Sequence, residues 1–203
     1  MSQIPQLMSG RALEHGIALA VDHGGTSSSK MYVGGQANAD VAAGTALTGT
    51  TDETALATYK IPANTLVAGS TIRVRAAGIL TTGGNGTVQI QLKLDDSSTA
   101  IASAVAVADT TAIANTALAN NDIFDFDSLI QVRTSGAGGT AVAISNFFFL
   151  TPGTTDSGKR ALKAEFNVDT TVENRLQITG KLGNGSDSLR SDILVVDIVN
   201  PST

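Results

Sequence analysis

Residues 71–94 alternate apolar and polar side chains with a period of two, on both sides of a glycine-rich break at residues 83–86. Successive side chains of a β-strand point to opposite faces, so this pattern predicts two strands, each with one buried and one solvated face. Asn85-Gly86 tolerates positive φ and favours a tight reversal. We therefore predict a hairpin. Its outer face carries Arg73, Arg75 and Lys93, which we interpret as solvated charges or, alternatively, as contacts to another subunit.

The same pattern recurs through most of the chain. Further alternating segments are residues 55–60, 123–133, 141–150, 162–168, 176–182 and 193–199. Glycine-rich reversals follow at residues 136–139 and 183–186. Strands spaced by about 10–15 residues with such reversals are typical of an antiparallel sandwich. The alanine-rich residues 99–119 suit strands or a helical turn, and we assign them to strands.

Composition excludes several classes of function. Hydrophobic residues make up 42% of the 203, but aromatic residues only 4%, so the predicted core is built mainly from aliphatic side chains. The net charge is −5 with scattered Lys and Arg, which does not provide the basic stripe that nucleic-acid binding requires. No cysteine is available for disulfides, thiolate zinc sites or nucleophilic catalysis. No signal peptide is visible and no apolar run approaches the ~18 residues of a membrane span, so we expect no membrane association.

Residues 1–50 differ from the remainder, because they are rich in Gly, Ala, Ser and Thr and poor in large apolar side chains. Such a segment buries too little surface to offset its ordering entropy alone. We interpret it either as an unfolded tail or as an extended arm that becomes ordered on a neighbouring subunit. In the second interpretation the arm would contact its partner through Ile17, Leu19, Val21 and Tyr32. Residues 51–203 are then the folded domain.

No motif predicts catalysis, a cofactor or a metal site. Residues 24–30, GGTSSSK, lack the second glycine and the Ser/Thr of a phosphate loop. His15 and His23 stand without further ligands at a recognisable spacing. No G-x-S-x-G nucleophile elbow is present. Paired carboxylates could still support glycan hydrolysis, although the chain has few aromatic platforms for sugars. We expect a protein that is not an enzyme.

Acidic residues could in principle bind Ca²⁺. They are Asp95, Asp96, Asp122, Asp125 and Asp127. The EF-hand order of ligands is absent, so we interpret them as solvated loop residues.

Three consecutive phenylalanines, Phe147 to Phe149, carry more information about partners. In a strand, Phe147 and Phe149 share one face and Phe148 occupies the other. Both faces must then be at least partly covered. Either a loop caps this strand near the edge of the domain, or a second copy of the protein buries Phe148.

Residues 50–78 resemble the opening of small β-sandwich structural proteins of tailed bacteriophages. The likeness lies in a threonine-rich strand, an I-P-A-N-T-L-x-A-G turn and a strand that here ends in Arg75-Ala76-Ala77-Gly78. The matching positions are Ile61, Pro62, Ala63, Asn64, Thr65, Leu66, Ala68, Gly69, Ile72, Arg73, Arg75, Ala77 and Gly78. Residues 127–143 continue the similarity, which extends over about residues 50–199.

The resemblance implies an all-β, antiparallel jelly-roll sandwich with an extended N-terminal arm. It also implies a head decoration or cement protein that binds the major capsid protein on the outer capsid surface, after assembly in the host cytoplasm. Self-association as a homotrimer is expected from the local symmetry of capsid lattices. The alternative is a tail-fibre or tail-tip adsorption module that binds a host receptor, although scarce Trp and Tyr disfavour sugar stacking.

Overall fold

The computed structural model describes residues 32–39, 44–115, 121–150 and 157–201, which form twelve strands and one turn of 3-10 helix at Ile101–Ser103. The strands are β1 (Tyr32–Ala39), β2 (Leu47–Thr48), β3 (Thr54–Ile61), β4 (Thr71–Thr81), β5 (Gly86–Asp96), β6 (Ala106–Asp109), β7 (Ile113–Asn115), β8 (Asp122–Thr134), β9 (Thr140–Leu150), β10 (Ser157–Asn167), β11 (Asn174–Leu182) and β12 (Ser188–Pro201).

These strands form two antiparallel sheets. The seven-stranded sheet has the order β1-β12-β4-β8-β9-β10, and β2 also pairs with β12. The five-stranded sheet has the order β3-β11-β5-β6, and β7 also pairs with β5.

The strand pairing is that of a jelly roll. Early strands pair with late ones: β1 with β12, β3 with β11, β4 with β8 and β5 with β6. Successive pairs fall in opposite sheets, as in a long antiparallel ribbon rolled into two layers. β9 and β10 then extend the seven-stranded sheet beyond β8. The predicted fold class, an all-β antiparallel jelly-roll sandwich, is confirmed.

The core lies between the sheets and follows the alternation in the sequence. In β4, Ile72 and Val74 are fully buried, whereas Arg73 and Arg75 point outward and are exposed. Burial of one such aliphatic side chain contributes about 1.5–3 kcal/mol. Phenylalanines of β8 and β9 add an aromatic cluster to this largely aliphatic core.

Residues 71–94 do not form the predicted hairpin. β4 lies between β12 and β8 in the seven-stranded sheet, whereas β5 lies in the five-stranded sheet. The glycine-rich break therefore carries the chain from one sheet to the other. Residues 183–186 do the same between β11 and β12 and are not the turn of a hairpin either. Alternation identifies the buried face of a strand but not its hydrogen-bonding neighbour, which here comes from distant sequence.

The two crossing loops pack against each other, which explains their glycines. The Gly83 N–H donates to Asp187 Oδ1 at 2.9 Å, and a Cβ on Gly83 would lie only 2.7 Å from the Ser186 hydroxyl. The Gly183 N–H donates to the Thr87 carbonyl at 2.7 Å, and a Cβ on Gly183 would clash with the Thr87 hydroxyl. Glycine is required here by close approach of the chain.

The third predicted reversal is a true hairpin. β8 and β9 pair with each other, and the turn between them places Gly136 at φ +107°. This is a conformation that glycine adopts without strain. The prediction of strands in residues 99–119 holds for β6 and β7, whereas Ile101 begins the 3-10 turn. Residues 116–120 lie outside the described residues.

Part of the predicted arm belongs to the sandwich. β1, within residues 1–50, forms the edge of the seven-stranded sheet by pairing with β12. The Gly44 N–H donates to the Ser191 carbonyl at 2.8 Å, and Leu47 is buried. The sheet therefore begins before residue 51. Residues 1–31 and 40–43 of the arm lie outside the described residues.

Candidate functional site

Five large apolar side chains in the described part of the chain are exposed, and all five lie on the outer side of the seven-stranded sheet. They are Ile123, Leu129, Ile144, Phe148 and Ile193, with exposed fractions of 43–51%. We refer to these five residues as the outer apolar face. Single exposed apolar residues are normal on a protein surface, but a group of them on one sheet face is a candidate interaction surface.

Alternation in β8 and β9 creates this face. In β8, Phe124 and Phe126 point inward, so Ile123 points outward. The register places Leu129 opposite Ile144, and both side chains are exposed. Directly opposed outward residues on paired strands lie close enough to form one contact surface.

Phe148 lies where the triple phenylalanine predicted it, on the face opposite its two neighbours. Phe147 is buried and stacks on Phe124 and Phe149, with ring centroids 6.5 and 6.4 Å apart. Phe148 remains 43% exposed. β9 lies one strand in from the edge strand β10. Within the described residues, then, the side of β9 that carries Phe148 is only partly covered.

Charged residues divide the outer apolar face. The guanidinium of Arg75 lies 3.2 Å from Asp125 Oδ2 in an exposed ion pair. Asp125 is the cross-strand neighbour of Phe148, and Arg73 is the cross-strand neighbour of Leu129. Arg73 and Arg75 are exposed, as the sequence predicted. Exposed pairs contribute little stability, so these charges add little to the stability of the fold.

The outer side of the five-stranded sheet is polar and satisfies its own hydrogen bonds. Gln89 and Gln91 donate side-chain N–H groups to the carboxylate of Asp109, each at 2.8 Å. Gln177 donates to the Thr58 hydroxyl at 3.1 Å. These bonds tie β5 to β6 and β11 to β3 within a single chain.

The prediction of a solvated Lys93 was wrong. This residue was expected to be a solvated charge on an outer face, but it is 4% exposed. Its ammonium lies 2.7 Å from Glu53 Oε1 and donates to the Ile101 carbonyl at 2.7 Å, while Thr179 also donates to Glu53. The segment before β3 and the 3-10 turn cover this position. Alternation in the sequence cannot show that a segment from another part of the chain covers an outward-pointing residue.

The acidic residues do not gather into a cation site. Asp122, Asp125 and Asp127 lie in β8 and not in a loop, and Asp122 is buried on the inner side while the other two point outward. Asp95 accepts from the Val105 N–H at 3.0 Å. Asp96 accepts from the Ser98 N–H at 2.7 Å. Across the described residues, no group of three or more His, Cys, Asp or Glu could hold a metal ion.

The contacts of the described residues do not test the interface role that we predicted for Ile17, Leu19, Val21 and Tyr32. Ile17, Leu19 and Val21 lie outside the described residues, as do His15, His23 and residues 24–30. Tyr32 starts β1, and its backbone pairs with Pro201. The interface role of these residues stays a prediction.

Sequence reasoning missed four members of the outer apolar face: Ile123, Leu129, Ile144 and Ile193. A signal for them exists in the sequence, because adjacent apolar residues at Ile123-Phe124 and Leu129-Ile130 place apolar groups on both sides of one strand.

Comparisons with known proteins add little to this description. No protein-family model and no curated protein matches the chain. One solved structure that it matches is the CBM2 module of the evolved Dit of Lactobacillus casei BL23 phage J-1, with a TM-score of 0.31 and 11% sequence identity. The match covers 72% of this chain and 70% of that one. Within the described residues, no helix is long and apolar enough to cross a membrane.

Proposed function

We propose that this chain is a structural protein of a tailed-phage virion, and specifically a head decoration protein that binds the outer capsid surface and stabilises the particle. The residues that resemble such proteins support the proposal. Residues 61–69, the I-P-A-N-T-L-x-A-G turn, connect β3 in one sheet to β4 in the other. Asn64 and Gly69 have φ of +60° and +88° there, and the Gly69 N–H donates to the Val132 carbonyl at 2.9 Å. The motif is thus a folding element of the jelly roll.

The observation that carries the proposal is the outer apolar face. Water opposes the exposure of five large apolar side chains on one sheet face, and their burial against another protein is favourable. Removal of this face from water would contribute roughly 25 cal/mol per Å². Loss of rigid-body freedom and ordering of side chains offset much of that gain.

Two pairs of polar groups in the described part of the chain have structural roles. The buried Lys93 pairs with the partly buried Glu53, and the Ser128 and Ser145 hydroxyls bond at 2.8 Å. The first interaction closes part of the outer side of the five-stranded sheet, and the second ties β8 to β9. A rigid sandwich that presents an apolar face is suited to binding, and we propose no reaction for it.

The experiment that tests the proposal uses phage heads from which this protein has been removed. We expect the added protein to bind the stripped heads and to restore their resistance to heat and osmotic shock. Absence of binding together with unchanged resistance would rule out the decoration role. A labelled antibody that marks the tail and not the head would favour the adsorption module instead.

A further inference from the structure

The outer apolar face is too small for a standard interface between two rigid subunits. If a large side chain offers ~150–200 Å² and about half of it is exposed, five such side chains leave on the order of 400 Å² of apolar surface. A standard protein–protein interface buries about 800 Å² on each partner. The size of the face therefore fits a short peptide segment better than a second folded domain.

The chain itself contains a segment with matching chemistry. Ile17, Leu19 and Val21 alternate with two alanines, so an extended conformation places all three large side chains on one side. The segment spans four residue steps, which is about 13 Å at ~3.3 Å per residue. Ile144 and Phe148 are also four steps apart on β9 and point to the same side.

The connection from this segment to the sandwich is long enough to span the distance that separates β1 from β9. Ten residues, 22–31, separate Val21 from Tyr32, and Gly and Ser are common among them. Fully extended, they span at most about 35 Å. β1 is an edge strand and stands four strands from β9, which is about 19 Å across the sheet. The connection is therefore long enough for residues 17–21 to reach an outer apolar face from β1.

We propose that residues 17–21 of a neighbouring copy lie across the outer apolar face, with Ile17, Leu19 and Val21 against Ile144 and Phe148. The choice of a neighbouring copy over the same copy rests on the proposed function, which places many copies side by side. Closely spaced copies raise the effective concentration of each arm, so a contact of a few hundred Å² can hold. Each copy both gives an arm and receives one.

Disulfide trapping in the full-length chain tests this arrangement, because the natural sequence has no cysteine. Copies that carry Leu19→Cys are mixed with copies that carry Ile144→Cys under mild oxidation. As a matched control, Leu19→Cys copies are mixed with Lys181→Cys copies, because Lys181 is exposed on the outer side of the five-stranded sheet. We expect at least about tenfold more mixed dimer from the first mixture than from the control.

Three results would overturn the inference. One is an equal yield of mixed dimer from both mixtures. Another is a Leu19→Cys plus Ile144→Cys double variant that forms an internal disulfide while the mixed single variants form none, since the arm then covers its own copy. The third is a self-dimer of Ile144→Cys copies in the same yield as the mixed dimer, which would show two faces in contact.

The same variants separate this inference from the proposed function. Binding to stripped heads without the mixed disulfide would refute only the position of the arm. Formation of the mixed disulfide without any binding to heads would refute only the decoration role.

Discussion

The two outer sides of the sandwich differ in the chemistry of the side chains that they present to water. On the five-stranded sheet, glutamine, threonine and lysine side chains bond to partners in the same chain, and even Lys93 is buried beside Glu53. On the seven-stranded sheet, Phe148 and Ile144 remain exposed with no covering segment among the described residues. One side is complete within a single chain, and the other gains free energy from being covered.

Under the proposed function, this difference predicts which side of the sandwich a partner would cover. A polar side that already satisfies its hydrogen bonds gains little from a second protein, because new contacts must replace existing ones. An exposed apolar side gains from any complementary cover. The following predictions test this contrast, beginning with the largest expected effect.

Replacement of Glu53 by leucine should destabilise the fold most. The Lys93 ammonium would stay buried with the Ile101 carbonyl as its remaining partner. Removal of one partner of a buried ion pair costs about 3–5 kcal/mol, so we expect a loss of about 3 kcal/mol in the free energy of unfolding. Urea denaturation measures it.

The matched control is Glu173→Leu, which breaks the exposed pair between Lys60 and Glu173 at 3.0 Å. Both side chains are more than 40% exposed, so the expected loss is below about 1 kcal/mol. Equal losses for the two variants would contradict the view that the polar side is closed by buried contacts.

Replacement of both Ile144 and Phe148 by serine should leave folding intact but weaken binding. Both side chains point away from the core, so the free energy of unfolding should change by less than about 0.5 kcal/mol each. Their exposed apolar area predicts a loss of about 2–3 kcal/mol in the free energy of association, or roughly 30- to 150-fold in affinity. Binding to stripped heads and sedimentation of the free protein measure this loss. A Lys181→Ser variant should bind as the natural protein does.

Deletion of residues 1–31 should weaken self-association by about tenfold, because it removes the contact between residues 17–21 and the outer apolar face of a neighbouring copy. The thermal midpoint should not change, since the deletion stops before β1. A deletion through residue 45 is a different experiment, because it removes β1 and the Gly44 contact to β12. An unchanged association constant after the shorter deletion would show that the arm takes no part in self-association.

The smallest expected effect is on the dependence of stability on pH. The backbone and hydroxyl of Ser98 lower the pKa of Asp96, and the Lys60 ammonium lowers the pKa of Glu173. A carboxyl with a depressed pKa stabilises the fold above its unfolded pKa and loses that contribution as pH falls through the folded value. The contribution of Glu173 is therefore fully present above about pH 4.5 and that of Asp96 above about pH 3.8, and each is lost as pH falls through the lower pKa of the folded state.

The variant pair Asp96→Asn and Glu173→Gln should flatten this part of the curve. Urea midpoints measured between pH 6 and pH 3 test the effect. A steeper fall in the double variant than in the natural protein would contradict the assignment.

The alternation of apolar and polar side chains identified the strands and their buried sides, because this pattern depends only on residues within one strand. The sequence of β4 is enough to place Ile72 in the core and Arg73 in water. It could not show that β4 and β5 belong to different sheets, because their neighbours, β8 and β11, lie some 40 to 100 residues away along the chain. For the same reason the burial of Lys93 under residues from a distant segment was missed.

The candidate site was predicted in part. Phe148 was identified because three adjacent phenylalanines must place one on each side of a strand. Ile144 and Leu129 were not identified, because their place beside Phe148 depends on the register of β8 and β9. Only the fold brings these residues into one surface.

The central claim is that an assembly covers the outer apolar face and leaves the polar side open. Thiol alkylation tests it directly, in full-length chains that carry a single Phe148→Cys or Lys181→Cys substitution. We predict that both thiols react readily in the free protein, and that on the assembled particle Phe148→Cys becomes protected while Lys181→Cys stays reactive. Equal reaction rates for Phe148→Cys in the free and assembled states would contradict the account.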